Sequence, residues 1–100
     1  MTYDEMACFA RALAHPARMR IIGLLSYEKE CLGPQVFGEL ELAQSTVSEH
    51  LRVLKEAGVI DSRPVGATTA YRLLPCVLER YAVAVADIVE SADTHGPGRA

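Results

Sequence analysis

One hundred residues, half of them apolar, are enough for one compact domain and exclude wholesale disorder. The formal charge of −3 excludes a surface that grips any polyanion by charge alone, though not one that reads a particular nucleic acid through a local face. Three cysteines (Cys8, Cys31 and Cys76) lie at wide, irregular spacing, and there is neither a secretory apolar segment nor a run of about 18 apolar residues. The expectation is a cytoplasmic chain with reduced thiols and no membrane partner.

The first predicted helix runs from Tyr3 to Ala14, with Met6, Ala10 and Leu13 at helical spacing. His15-Pro16 ends it, because a residue before proline is pushed out of the α region. Pro16 suits the start of a second helix, Ala17 to Ser26, with Met19, Ile22 and Leu25 on the inward face and Ile21 and Leu24 beside them. Lys29 to Pro34 reads as a loop. A short helix, Gln35 to Leu40, turns Val36, Phe37 and Leu40 inward, and Glu41-Leu42-Ala43 is a turn. The strongest helical pattern follows, from Gln44 to Ala57, where Val47, Leu51 and Leu54 recur on one face and Gly58 stands at the C-terminal glycine position. Val59 to Val65 and Thr69 to Leu74 read as two strands joined by Gly66-Ala67. Pro75 opens a last helix, Cys76 to Ser91, in which Val77, Tyr81, Ala84, Ile88 and Ser91 share a face that Leu78, Val85 and Val89 widen. The domain is expected to span residues 1–92, with 93–100 a disordered tail.

This order predicts a mainly α fold with a small β-hairpin: a winged helix-turn-helix of five helices and a two-stranded wing. If Val47 faces the core, Leu51 and Leu54 fall within about 40° of it, and Ser45, Glu49, Arg52 and Glu56 point away. Thr46, Ser48 and Lys55 lie on the flanks, and His50 at the edge of the core stripe. The leading end is therefore short and polar: Gln44, Ser45, Thr46 and Ser48. A helix enters the major groove when its first side chains are small or able to hydrogen-bond base edges, and its N-terminal N–H groups favour a phosphate. Against this stands a plainer use of the same residues, since Thr46-Val47-Ser48-Glu49 matches a capping box. The order of elements favours DNA reading. Arg52 is the expected phosphate contact, and Arg63, in the wing, is counted with the DNA-binding residues. Glu49 reads as a solvated neighbour of Arg52 more than as an acceptor for a cytosine amino group. His50 is a candidate base reader whose commoner role is packing, and both roles stay open.

ALAHPARMRIIGLL, then LAQSTVSEHLRVLKEAGVI, then a strand pair ending in YRL resembles the ArsR/SmtB family of metalloregulatory repressors over Leu13 to Leu74. The resemblance implies a homodimer held by its first and last helices, bound to double-stranded operator DNA and released when a metal ion, metalloid or oxidant reaches a sensing site. By position it assigns Gln44, Ser45, Thr46, Ser48 and His50 to the reading motif. It places Met6, Leu13, Val77, Tyr81, Val85 and Ile88 in the dimer helices.

Several positions depart from that family. Glu30-Cys31-Leu32-Gly33 stands where many arsenic sensors have a Cys-x-Cys, and one thiol does not make a trigonal or tetrahedral site. Ala70 and Arg72 stand where some relatives carry cysteines. Asp93-Thr94-His95 resembles the start of a last-helix zinc site but lacks its second half. No metal or cofactor is expected, and the inducer is left unassigned; a composite thiol site from Cys8, Cys31 and Cys76 competes with their role as small hydrophobes. The wing tip is poor in cations, which implies weak nonspecific binding and a shallow salt dependence. Ala43 replaces a capping serine. Two classes of function remain: an operator-binding repressor, and a winged-helix module for protein contacts that has lost DNA binding. No nucleophile, base and orienting group share an arrangement that suggests an enzyme.

Overall fold

The computed structural model describes residues 1–95. In chain order the elements are α1 (Tyr3–Leu13), α2 (Pro16–Tyr27), β1 (Cys31–Leu32), α3 (Gly33–Glu39), α4 (Gln44–Glu56), β2 (Ile60–Val65), β3 (Thr68–Leu73) and α5 (Pro75–His95). Five helices and an antiparallel sheet form the winged helix-turn-helix that the sequence predicts.

Local chemistry explains most of the boundaries. Thr2 caps α1 through a capping box, its hydroxyl accepting from the Glu5 N–H while the Glu5 carboxylate accepts from the Thr2 N–H. His15 caps α2 by accepting at Nδ1 from the Ala17 N–H, 3.0 Å away. After α4, Gly58 takes φ 79°, a conformation open to glycine. The Val59 N–H then reaches the Leu54 carbonyl and the Gly58 N–H reaches that of Lys55, which closes the helix in a Schellman motif. Gly66, at φ 59°, makes the tight turn between β2 and β3.

The sheet differs from the expected two-stranded wing. Its order is β1-β3-β2, with Cys31 opposite Tyr71 and Leu32 opposite Ala70, so part of the predicted loop is a third strand. A pair of residues is too short to show alternation. Pro64 interrupts nothing, because β2 is an edge strand. Gly33-Pro34, expected in the loop, forms the first turn of α3, where a proline lacks no needed N–H.

The core gathers Phe9, Ile21, Ile22, Leu25, Cys31, Val36, Leu40, Val47, Leu51, Leu54, Val59 and Ile60. Full burial of a side chain such as Leu54 contributes about 1.5–3 kcal/mol. On α2 the inward face is centred on Ile21 and Leu25, and Met19, expected inside, is half exposed. On α1 the buried residues are Phe9 and Ala12, with Met6, Ala10 and Leu13 only partly covered.

The last helix is unlike the rest. It runs 21 residues, about 31 Å at 1.5 Å per residue, and continues through Asp93, Thr94 and His95, which the sequence assigned to a tail; residues 96–100 of that tail lie outside the described ones. None of its residues is buried, and Val83, Val85, Ile88 and Val89 are all exposed. It draws the molecule out to 56 × 24 × 24 Å. Among the described residues, no helix is long and apolar enough to cross a membrane.

Candidate nucleic-acid interface

Helix α4 is anchored from below. Val47, Leu51 and Leu54 are buried on the core side, and α3 precedes it through the turn of residues 40–43. The opposite face is in solvent, with Gln44, Ser45, Thr46, Ser48, Glu49, Arg52, Lys55 and Glu56 all exposed. The competing capping box does not form: α4 begins at Gln44, so Thr46 and Ser48 lie inside the helix, both exposed. Ala43, the N-cap residue, makes no side-chain hydrogen bond to the first turn, whose leading N–H groups are left to solvent or an anion.

The trailing half is differently charged. Arg52 donates from Nε to Glu49 (2.9 Å) and from Nη1 to Glu56 (2.6 Å), and its Nη2 also meets Glu49. This pairing holds the Glu49 carboxyl below the usual carboxylate range and raises the Arg52 guanidinium further. To reach a phosphate, Arg52 must leave two carboxylates.

The wing repeats the pattern. Arg63 is paired with Glu30 at 2.6 Å, which lowers the Glu30 carboxyl, and Arg72 meets Asp61 at 3.3 Å. The Asp61 carboxyl is lowered first by the Ser62 N–H and then by Arg72. The side chains of these pairs are between a third and two-thirds exposed, and ion pairs so open to water are weak and exchange readily.

His50 lies elsewhere. It is 6% exposed, turned inward, and accepts at Nδ1 from Arg18 Nε at 3.1 Å. Its ring leans on that of His15, and burial is the main reason it resists a proton. Among the expected reading residues it is the one not on the exposed face. Arg18, which the sequence did not single out, belongs to this part-buried contact; with Arg20 two residues on, nothing in the local pattern set it apart.

The expected dimer residues divide. Val77, Tyr81 and Leu13 lean on the core of their own subunit, with the Tyr81 ring 5.0 Å from that of Phe9. Val85 and Ile88 are exposed and are joined by Val83 and Val89, which the assignment omitted. A groove between α1 and α5 adjoins that face; Met1, Met6, Val83 and Ile88 line it together with the charged Glu79, Arg80 and Asp87.

Within one chain the cysteines form no common site. Cys31 is buried and its thiol is pushed up by burial, whereas Cys8 and Cys76 are exposed. Among the described residues, no group of three or more His, Cys, Asp or Glu is placed to hold a metal ion.

Residues 15–62, from the cap of α2 into β2, match the bacterial regulatory proteins of the arsR family. An HTH-type transcriptional regulator of Mycobacterium tuberculosis (strain H37Rv) is 37% identical over 83 residues, which is 82% of this chain and 73% of that protein. An ArsR-like transcriptional regulator from Rhodococcus sp. RHA1 superimposes with a TM-score of 0.79 at 25% identity, covering 92% of this chain and 86% of the other. The homodimeric winged helix-turn-helix DNA-binding domain of a possible ArsR-family regulator from Mycobacterium bovis is similar over 96% of this chain and 89% of its own, with a TM-score of 0.68 and 25% identity. With the same helix-turn-helix, the same wing and this degree of identity, the chain belongs to the arsR family of bacterial regulatory proteins.

Proposed function

We propose that the protein is a cytoplasmic transcriptional repressor that binds an inverted-repeat operator as a homodimer and acts by occupancy, with no catalytic step. The observation that carries this reading is the leading end of α4. Gln44, Ser45, Thr46 and Ser48 stand exposed on a helix whose other side is locked into the core by Val47, Leu51 and Leu54. Short hydrogen-bonding side chains there fit base edges in the major groove, and the uncapped N–H groups fit a phosphate. Two copies joined through the apolar surface of α5 and the groove beside α1 present two such helices to one duplex, with half-sites about 34 Å apart.

Paired carboxylates along the trailing half of α4 and the wing support the second reading, a module for protein contacts. The two part on one variant: Ser48→Asp with Arg52→Ala abolishes activity in a repressor and leaves it intact in a protein-contact module. An inducer that attacks thiols meets Cys8 and Cys76 in this structure and not the buried Cys31.

The test is a titration of the protein against the DNA upstream of its own gene, beside a shuffled duplex, at two salt concentrations. The expected preference for the specific duplex is at least about 10³-fold. Equal binding to both duplexes contradicts the repressor reading.

A further inference from the structure

The contact between α2 and α4 is built on one guanidinium and one buried imidazole. Arg18 donates from Nε to Nδ1 of His50 at 3.1 Å and from Nη1 to the carbonyl oxygens of Arg11 and Ala12, each at 3.3 Å. One guanidinium therefore fastens the end of α1 to the reading helix. His15, at the head of α2, sets its ring 4.2 Å from that of His50, tilted by 47°, while its own Nδ1 is occupied by the Ala17 N–H. An imidazole that accepts at Nδ1 carries its proton on Nε2, and Nε2 of His50 is buried without a partner among the described residues. A second proton has only Nδ1 to go to, the atom that Arg18 already uses. A charged His50 and the Arg18 bond exclude each other.

The charged and titratable groups facing His50 are Arg18 and His15 from α2 and its cap, and Glu49 from α4 itself. From α1, the carbonyl oxygens of Arg11 and Ala12 hold the same guanidinium. Arg18 and His15 oppose a proton and Glu49 favours one; with burial the largest influence, His50 is held below the ordinary imidazole range. A lowered histidine supports the fold above its ordinary range, and that support is lost as pH falls through the lowered value.

We propose that Arg18 is a positioning residue of the reading helix, acting through a hydrogen bond to His50 that a second proton on the imidazole abolishes, so that operator binding fails in mild acid. The proposal rests on the DNA-binding reading above. Its sign is distinctive. A histidine that gains charge near DNA ordinarily strengthens binding by releasing counterions, whereas breaking this contact weakens it.

The experiment is a fluorescence-anisotropy titration of the whole protein, at fixed ionic strength, near pH 7.5 and about pH 5.5. The duplexes are the upstream inverted repeat and a shuffled control. With two such histidines per dimer, specific affinity is expected to fall by about threefold or more in acid while control binding holds or rises. His50→Asn places a carbonyl oxygen where Nδ1 stood and does not titrate, so its acid loss is expected to shrink to about twofold or less, whatever its affinity near neutrality. Arg18→Met is expected to bind the repeat weakly at both pH values. A wild type that prefers the repeat near neutrality and keeps that preference in acid overturns the proposal alone, as does parallel acid loss in His50→Asn. A wild type with no preference near neutrality overturns the DNA reading and this proposal with it. Should His50→Asn not fold, the NMR titration of His50 in the wild type decides: a midpoint that drops further on the operator supports the proposal, and an identical midpoint free and bound overturns it.

Discussion

The first turns of α4 expose Gln44, Ser45, Thr46 and Ser48, none of them charged, while its later turns and the wing expose Arg52, Arg63 and Arg72, each paired with a carboxylate. The leading end offers hydrogen bonds that depend on the base opposite. The trailing end and wing offer arginines that must first exchange Glu49, Glu56, Glu30 or Asp61 for a phosphate. On the proposed reading, sequence-independent attraction is muted by that exchange, and discrimination falls to the uncharged end. The difference suits a chain with net charge −3: the three arginines of this face, Arg52, Arg63 and Arg72, are held by carboxylates, while Lys55 stands exposed beside them.

Removing the support common to both halves has the largest expected effect. Leu54→Ala, at a fully buried position, is expected to cost about 2–5 kcal/mol in chemical denaturation. A loss under about 1 kcal/mol means the helix is not held as described. Ser48→Asp breaks the uncharged end alone. The expected loss of operator affinity is about 10–100-fold, or 1–3 kcal/mol, with the melting temperature little changed because Ser48 is exposed. Ala43→Ser supplies the missing cap and is expected to stabilise by about 1 kcal/mol, raising the melting temperature by about 4–8 °C. The smallest change concerns the paired half. Glu49→Gln leaves Arg52 with Glu56 alone, so binding to shuffled DNA is expected to rise a few-fold and its dependence on salt to steepen, by up to about one phosphate contact per subunit. An unchanged salt slope means that Arg52 does not face the duplex.

Much of this comparison was legible in the sequence. Val47, Leu51 and Leu54 set the phase of α4, and that phase alone places Ser45 and Ser48 outside. The Arg52 pairing follows from spacing along a helix. Other parts were not legible, for definite reasons. Glu30 meets Arg63 across 33 residues and Arg18 meets His50 across 32, and no local period encodes such distances. On α2 the run Met19 to Leu25 is apolar on several sides, so the phase that puts Met19 inside and the one that puts Ile21 inside look alike. β1 is hidden by its length. Thr46 to Glu49 matched a capping box, but the helix had already started at Gln44, so the motif fell one turn too late.

The claim that the uncharged end of α4 reads bases is tested most directly by a panel of single-base variants of one operator half-site, titrated with the wild type and with Ser48→Ala. The account predicts that Ser48→Ala flattens the preference at one or two base pairs while every other position, and the salt slope, stay as in the wild type. A uniform weakening across all variants, or no change at any position, contradicts it.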